Sequence, residues 1–351
     1  MKKLCIIGCG GIGEYHLNHF MKYKDVEAAG FCDVKPERAE KYVKISGGGK
    51  AYTDFRTMYD EINPDMVFIC VPPYCHGDIE YETISRGIPM FVEKPVTLNL
   101  DMAYDISRRI KEKKLVTAVG FQCRYDNLNE TARDYVNKNT VVTAQGSRLG
   151  GIPETEWWNN KKLSGGQLPE QTIHQVDLLR YLLGEADKVY SVPRRGIITN
   201  EESPGFNTED VSVSIITFKS GVSCTLTTGC YSLNGASWDS KITFGSRSSR
   251  MDYRLLTDVT VYGLGEGGAA AEIEGVIKGD GMQRKSDDET GFTVKSVTDV
   301  GVICDRTFVD AAITGDASKI RSPYDDAVKS LAITLACNES METGYPVKVR
   351  V

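Results

Sequence analysis

Residues 4–13, LCIIGCGGIG, decide the fold of this chain. The apolar run at 4–8 predicts a buried strand, and Gly8, Gly10 and Gly13 follow it in the spacing G-x-G-x-x-G, where a helix is predicted to begin. The first glycine permits a tight turn, the second lets backbone N–H groups approach a pyrophosphate, and the third lets the helix pack close to the strand. The stretch therefore predicts a dinucleotide held at a helix N-terminus.

Asp33 follows the next apolar run, VEAAGFC at 26–32, about twenty residues beyond Gly13. A carboxylate at this point accepts hydrogen bonds from an adenosine ribose diol and repels a 2′-phosphate. The sequence therefore favours NAD over NADP as the cofactor. Lys35 and Arg38 lie close by, and we interpret them as the solvated first turn of a helix.

The first third of the chain alternates short apolar runs with helical patterns, which predicts βαβ units and a parallel sheet covered on both faces. We expect strands at 4–8, 26–32, 66–71, 89–93 and 116–121, and helices from Gly11, after Pro36, through Ile84 and over 99–114. The predicted fold class is α/β, with an N-terminal Rossmann domain over residues 1–121.

Strands dominate the remainder, which predicts a C-terminal α+β domain over 122–351 with a large open, mainly antiparallel sheet. The expected elements are strands at 211–218 and 222–230 joined by a turn at 219–221, and helices near 126–137, from Glu170, and at 304–313 and 323–341. The last helix and tail have room to pack back on the first domain. Residues 46–49 and the Gly-, Asp-, Glu- and Lys-rich segment 264–290 are interpreted as loops or weakly ordered inserts.

Composition excludes several classes of protein. A chain of 351 residues exceeds one small core, and 41% hydrophobic with 26% charged residues excludes disordered and fibrous proteins. A net charge of -6 offers no basic surface, so no nucleic-acid partner is expected. No run approaches the roughly 18 apolar residues that span a bilayer, and the N-terminal apolar run ends at Gly8, too early for an export signal. We expect a cytoplasmic protein without membrane contact.

No metal site is predicted. The ten cysteines show no paired framework, which fits reduced thiols, and four of them, Cys5, Cys9, Cys32 and Cys70, lie in or beside predicted strands as buried small hydrophobes. His16 and His19 have a ligand-like spacing, but no Cys, Asp or Glu cluster completes a zinc pattern in the sequence.

Six separate segments are distributed over nearly the whole chain: GCGGIGEYH (8–16), CVPPYCH (70–76), EKP (93–95), GFQCRY (120–125), SGGQLPEQTIHQVDLLRYLLG (164–184) and ESMETGYPVKV (339–349). Together they resemble the Gfo/Idh/MocA family, the glucose-fructose oxidoreductase and inositol dehydrogenase type of NAD(P)-dependent oxidoreductase. The resemblance implies a Rossmann domain followed by an α/β domain whose open sheet often builds the subunit interface. It also implies sugars, cyclitols and their derivatives as substrates.

The loop after the strand at 66–71 should line the dinucleotide, because ligands bind at the carboxyl ends of strands in open α/β folds. His76 in this loop either caps a helix or touches the cofactor, and capping is favoured. The full predicted cofactor-binding set is Gly8, Gly10, Gly11, Ile12, Gly13, Asp33, Val71, Pro72, His76, Glu93, Lys94 and Gln122.

Lys94 and His174 are the predicted catalytic pair. Lys94 stands where a strand meets the crevice, so that its cation can polarise a substrate hydroxyl, and Glu93 should orient the backbone amide or the lysine. His174 suits general-base work, with Glu170 one turn before it and Asp177 one turn after. Glu170, also predicted as catalytic, stands where the family usually has Asp. Its role is open between hydrogen bonding a sugar hydroxyl and tuning the base, whereas Asp177 is expected to be structural.

Four further residues complete the predicted substrate site. Gln122 and Arg124 should face the cleft between the domains, and a structural salt bridge is an equally good reading of Arg124. Trp157 and Trp158 offer either a flat apolar wall for a sugar ring or aromatic packing under a loop. The predicted substrate-binding set is Lys94, Arg124, Trp157, Trp158, Glu170 and His174.

The sequence thus predicts an NAD-dependent dehydrogenase acting on a secondary hydroxyl of a sugar, glycoside or cyclitol, and most specifically C3 oxidation of a glucoside. A glycosidase or lyase that retains NAD and oxidises C3 transiently is the first alternative, and it would produce no net NADH. A non-catalytic NAD-sensing regulator is the second, although the presence of both Lys94 and His174 disfavours it. The open sheet face predicts a homo-oligomer of unspecified order.

Overall fold

The computed structural model describes residues 1–263 and 291–350, and its first sheet is parallel throughout. Its strand order is β3-β2-β1-β4-β5-β6, which confirms the predicted Rossmann arrangement. The strands are β1 Lys2–Ile7, β2 Val26–Cys32, β3 Lys50–Tyr52, β4 Met66–Ile69, β5 Met90–Val92 and β6 Thr117–Val119. The helices between them are α1 Gly11–Phe20, α2 Pro36–Ser46, α3 Phe55–Ile62, α4 Asp78–Ser85 and α5 Leu100–Lys113.

Local signals in the sequence account for where several of these helices begin. Pro36 occupies the first turn of α2, where its missing N–H costs nothing. The side chains of Asp54 and Asn99 accept hydrogen bonds from the backbone N–H groups of Thr57 and Met102, which caps α3 and α5. The predicted loop at 46–49 is confirmed, since it leaves α2 and reaches β3 through two glycines with positive φ.

The second sheet has nine strands in the order β14-β13-β12-β11-β7-β10-β9-β8-β15. Only the β7–β10 pair among its described pairings is parallel, so the predicted mainly antiparallel sheet is confirmed. The strands are β7 Val141–Leu149, β8 Ala186–Arg194, β9 Val211–Phe218, β10 Ser223–Gly229, β11 Asp239–Ser246, β12 Arg250–Arg254, β13 Asp258–Tyr262, β14 Gly291–Lys295 and β15 Val347–Lys348.

Helices α6 Leu128–Lys138, α8 Ile173–Leu183 and α10 Tyr324–Thr343 pack on this sheet, and the same part of the chain also contains α7 Lys161–Ser164 and α9 Val300–Thr314. The helix expected from Glu170 differs from the prediction, because residues Leu168–Thr172 form a π-helical turn and α8 starts at Ile173. A π-turn interrupts regular helical spacing and is frequent at functional sites. Glu170 and Asp177 accordingly have separate partners, described below, and no hydrogen bond among the described residues joins either of them to His174.

The C-terminal helices pack against the first sheet. Phe308 of α9 lies edge-on against Phe68 and Phe91, with ring centroids 5.2 Å and 5.7 Å away. After α9 the chain pairs with the edge strand of the parallel sheet, since the backbone N–H of Val119 donates to the carbonyl of Ser322 at 2.8 Å. The first half of α10 then belongs to the core of the parallel sheet and the second half to the core of the antiparallel sheet. The domain boundary at residue 121 stays a prediction.

All ten cysteines are free, and the four predicted to be buried are buried. No helix of residues 1–263 and 291–350 is long and apolar enough to cross a membrane. The predicted insert 264–290 lies outside the described residues. The outward face of the second sheet exposes apolar side chains: Tyr190, Val192, Val213 and Ile215. A homo-oligomer formed through this face stays a prediction.

Arg124 forms buried ion pairs that join three segments of the fold. Breaking these ion pairs should destabilise the protein. Its Nε and Nη2 donate to the two carboxylate oxygens of Asp177 at 2.7 Å and 2.6 Å, and its Nη1 lies 2.6 Å from Asp326 of α10. Arg124 and Asp177 are 2% and 1% exposed, so removing one partner strands a buried charge.

We therefore expect Arg124→Met to lower the free energy of unfolding by about 3–5 kcal/mol, measured by urea denaturation. Adding Asp177→Asn should restore part of the loss, because the stranded charge is then removed. Arg108→Met, which breaks an exposed ion pair on α5, should leave the midpoint nearly unchanged. Equal losses in Arg124→Met and Arg108→Met would contradict the prediction.

Candidate active site

The glycine-rich loop has the geometry that its sequence predicts. Gly8 has φ +92°, and a Cβ there would lie 2.2 Å from the carbonyl oxygen of Cys70 at the end of β4. A Cβ at Gly13 would lie 2.3 Å from the Gly8 carbonyl oxygen, so the helix approaches the strand more closely than any side chain allows. Nothing lies within 4 Å of the corresponding positions at Gly10 and Gly11. The loop thus leaves open space where α1 begins.

Asp33 follows β2 on the same edge of the sheet. Its carboxylate accepts hydrogen bonds from the backbone N–H groups of Cys9 and Lys35, both at 2.9 Å. These bonds fix the carboxylate beside the glycine loop, and its oxygens retain lone pairs for further donors. The loop after β4 closes against the same place, because a Cβ at Gly8 would also lie 3.1 Å from Val71.

Lys94 follows β5, and its peptide bond to Pro95 is cis. Its ammonium reaches across to the π-turn, where it donates to the carbonyl oxygen of Glu170 at 2.7 Å and to Oε1 of the same residue at 3.1 Å. Both side chains are largely buried, with 15% and 11% exposed. Lys94, which follows a strand of the parallel sheet, is therefore in direct contact with Glu170 of the π-turn.

Glu170 is held from its other side. Oε2 accepts a hydrogen bond from the indole N–H of Trp158 at 2.9 Å and one from the side-chain amide of Gln171. Burial works against ionisation of Glu170, but the charge of Lys94 and these hydrogen bonds outweigh it, and the pKa of Glu170 lies below its usual value. These contacts hold Lys94, and the two predicted roles of Glu170, hydrogen bonding a sugar hydroxyl and tuning the base, stay predictions.

His174 faces the same cleft from the first turn of α8. Burial, followed by the nearby charges of Lys94 and Arg148, lowers the pKa of His174 to about 3. Its Nδ1 is buried and has no hydrogen-bond partner among the described residues. The imidazole is therefore neutral at physiological pH.

The cleft between the two sheets has a volume of about 630 Å³. Lys94, Gln122 and His174 line it, as predicted, together with Arg148, Trp238 and Arg254. Sequence reasoning missed Arg148, Gln171 and Trp238. Gln171 is adjacent in sequence to Glu170, which was predicted. Arg148 and Trp238 lie in a strand and a loop far from the predicted motifs, and only the tertiary fold brings them to the site.

For Arg124 and Trp158 the structure supports the structural reading that the sequence left open, and it does not place either residue against the substrate. Arg124 does not face the cleft, because its guanidinium is bonded to Asp177, Asp326 and the carbonyl oxygen of Arg321. Trp158 is 0% exposed and cannot form a wall for a sugar ring; it orients Glu170 instead. Trp157 is half-buried and does not line the cleft.

His76 and Glu93 have clear structural partners. Nδ1 of His76 lies 2.6 Å from Oε1 of Glu80, whose Oε2 accepts a hydrogen bond from the Gly77 backbone N–H at the start of α4, so His76 packs against the group that caps the helix. Oε2 of Glu93 accepts a hydrogen bond from the backbone N–H of Lys94 at 3.1 Å, so Glu93 orients the lysine backbone. Cofactor contacts of these residues remain predictions.

A buried chain of ionisable groups lies beneath Lys94. Nε2 of His16 is 3.1 Å from Glu93, and Nδ1 of His16 is 2.8 Å from Oδ2 of Asp305 on α9. The same Oδ2 lies 2.6 Å from Nδ1 of His19. The donor atoms of His16, His19 and Asp305 fall within 4.8 Å of one another, but direct hydrogen bonds between them account for this spacing. The absence of a metal stays a prediction.

Two family models match the chain. Residues 2–121 match the oxidoreductase family model with an NAD-binding Rossmann fold, and residues 108–247 match the C-terminal domain model of the same GFO/IDH/MocA family. The chain belongs to the Gfo/Idh/MocA family. Membership confirms the resemblance inferred from the sequence, the two-part fold and NAD as the cofactor.

Curated relatives in this family act on cyclitols and sugars. The chain is 27% identical over 227 residues to myo-inositol 2-dehydrogenase of Thermotoga maritima, covering 62% of this chain and 66% of that protein. It is 25% identical over 189 residues to D-glucoside 3-dehydrogenase of Escherichia coli, covering 52% and 54%. The matches thus span between about half and two thirds of these relatives. Levoglucosan dehydrogenase, solved with NADH and levoglucosan, shares the fold, with a TM-score of 0.82 at 17% identity over 100% of both chains.

The buried ionisable groups beneath Lys94 predict how the stability of this protein depends on pH. Burial alone would lower the pKa of His16, but the charge and hydrogen bond of Asp305, with those of Glu93, raise it to about 10. A pKa above the unfolded value of about 6.5 means that the stabilisation is fully present below that pH and is lost as pH rises through about 10.

We expect the wild-type protein to lose stability between pH 7 and 10 more steeply than His16→Gln, by up to about 1 kcal/mol per pH unit. Thermal denaturation of both proteins across this range measures the difference. Parallel curves for the two proteins would show that His16 is not protonated in the native state.

Proposed function

We propose that this protein oxidises a secondary hydroxyl of a sugar, glycoside or cyclitol and transfers the hydride to NAD⁺. One observation carries the proposal: the Lys94 ammonium, fixed by Glu170, shares a cleft with the neutral His174 at the edge of the parallel sheet that carries the glycine loop. Oxidation of an alcohol requires a group that stabilises the developing alkoxide and one that takes the hydroxyl proton, and these two residues supply both.

The residues around the glycine loop fit NAD. The open space at Gly10 and Gly11, at the uncapped start of α1, suits a pyrophosphate, and Asp33 suits the adenosine ribose. Gln122 lines the cleft that holds Lys94 and His174, and the Val71 side chain lies against the glycine loop. When bound, NAD⁺ supplies the hydride acceptor.

Lys94 and His174 divide the work on the hydroxyl group. The Lys94 ammonium donates a hydrogen bond to the substrate oxygen and stabilises negative charge on it as the proton leaves. His174, held neutral by burial, accepts that proton. Glu170 is a positioning residue, because its carboxylate fixes Lys94 while Trp158 and Gln171 fix the carboxylate.

The finer assignment is C3 of a glucoside. The similarity to a D-glucoside 3-dehydrogenase supports it, as does a cleft of about 630 Å³, which has room for a sugar and a substituent. A methyl glucoside deuterated at C3 tests the position: deuterium should appear in the reduced cofactor, with a primary isotope effect on turnover. Transfer of unlabelled hydride would assign the reaction to another carbon.

Replacing either catalytic residue should abolish turnover. Lys94→Met removes the alkoxide-stabilising charge and His174→Asn removes the base, so each should lower kcat by about 10²-fold or more, followed as NADH absorbance with a panel of glucosides and inositols. Lys113→Met, which removes an exposed lysine at the end of α5, serves as the control. Full activity in His174→Asn would refute the base assignment.

Asp33 should set the cofactor preference. Asp33→Ser removes the ribose acceptor and the repulsion toward a 2′-phosphate, so the ratio of kcat/KM for NADP⁺ to that for NAD⁺ should rise at least about tenfold. Asp65→Ser, which removes a carboxylate paired with Lys2 away from the loop, should leave the ratio unchanged. An unchanged ratio in Asp33→Ser would place the adenosine ribose elsewhere.

A further inference from the structure

Arg148, near the end of β7, is a cation of the cleft that the proposed mechanism does not use. Its Nη2 donates to Oε1 of Gln171 at 3.1 Å. Its Nη1 is buried and has no hydrogen-bond partner among the described residues. No carboxylate of residues 1–263 and 291–350 forms an ion pair with it. The guanidinium therefore has neither a counter-charge nor a full set of acceptors.

The other cations that line the cleft are compensated. Lys94 is paired with Glu170 at 3.1 Å, and Nε of Arg254 donates to Asp258 at 2.7 Å. Burial lowers the pKa of Arg148, and the charge of Glu170 only partly opposes this effect. A buried charged donor without an acceptor is destabilising, and such groups are retained where a ligand completes them. Asp239 also lines the cleft, but its carboxylate accepts a hydrogen bond from Ser147 and is paired with Lys241. Arg148 is thus left as the cation of the cleft without an ion-pair partner among the described residues.

The surroundings of Arg148 hold the guanidinium in place. The Trp238 ring lies over it, with 4.5 Å from the guanidinium carbon to the ring centroid. A Cβ at Gly150 would lie 2.6 Å from Nη1, so an alanine there would push the guanidinium from its present position. Trp238 is itself 61% exposed at the rim of the cleft, where its ring has room to turn aside. The guanidinium of Arg148 therefore lies against the backbone at Gly150, and the exposed Trp238 ring covers its other side.

We propose that Arg148 binds a carboxylate carried by the substrate, so that the protein acts on an acidic sugar or cyclitol derivative such as a hexuronoside. The inference rests on the proposed function and names its substrate class. A planar guanidinium matches a carboxylate in shape and charge. A carboxylate is favoured over a phosphate monoester because the cleft holds one uncompensated positive charge, which a single negative charge balances.

A matched pair of ligands tests the proposal. Methyl β-D-glucuronide and methyl β-D-glucoside differ only in carrying a carboxylate or a hydroxymethyl group at C5. Their dissociation constants are measured by calorimetry on protein saturated with NADH, so that no hydride transfer occurs. We expect the glucuronide to bind at least tenfold more tightly, and its binding to change the fluorescence of Trp238, which is identified by its loss in Trp238→Phe.

Three substitutions isolate the role of Arg148. Arg148→Gln should abolish the preference for the glucuronide while leaving glucoside binding within about threefold, and Arg148→Lys should retain part of the preference. Gly150→Ala keeps the charge but displaces Nη1, so it should also weaken glucuronide binding. Arg254→Gln, which removes an arginine of the same cleft already paired with Asp258, should keep the preference.

Equal affinity of the wild-type protein for the two ligands, or equal losses of both in Arg148→Gln, would overturn the proposal. Tighter binding of glucose 6-phosphate than of the glucuronide would overturn the assignment to a carboxylate. Failure of the proposed function has a different signature: no NADH would form from NAD⁺ and either ligand, whereas the Arg148-dependent binding preference would persist.

Discussion

The ion pair between Lys94 and Glu170 is the contact on which the candidate site depends. It joins the end of a strand in the parallel sheet to a π-helical turn directly before α8, 76 residues away. Trp158 and Gln171 hold the carboxylate, so three separate segments fix one ammonium group. Because each contact is buried, loss of any one leaves a polar group without its partner, which makes the geometry cooperative.

Burial leaves one ionisable group of the cleft neutral and another charged. It keeps His174 neutral, since burial and two nearby cations oppose its protonation. It does not neutralise Glu170, whose carboxylate is surrounded by donors. The result is an uncharged imidazole in the same cleft as a fixed cation, which is the arrangement that the proposed function uses. Arg148 adds a second cation, and this one has no carboxylate partner in the described part of the chain.

Residues of the C-terminal helices form buried ion pairs with residues in and beside the first sheet. Asp305 on α9 bridges His16 and His19 of α1, and His16 in turn contacts Glu93 directly before Lys94. Arg124 similarly links the segment after β6 to α8 and α10 through Asp177 and Asp326. The site therefore lies between two buried ionic networks, and both networks include residues from the last third of the sequence. The first network ties α9 to the parallel sheet, and the Arg124 network ties the segment after β6 to α8 and α10, which pack on the antiparallel sheet; a shift there would leave buried charges unpaired.

The sequence by itself determined the local features: the glycine loop, the alternation of strands and helices, Asp33, Lys94 and His174. These follow from backbone constraints and hydrophobic periodicity, which act between residues close together in the chain. Only the tertiary structure decided that Arg124 is a buried structural cation, that Trp158 supports Glu170 and does not form a wall, and that Arg148 and Trp238 line the cleft. A charged or aromatic side chain has the same local signature in either role. Which role it takes depends on partners brought by segments 50 or more residues away, as Asp177 is for Arg124 and Glu170 for Lys94.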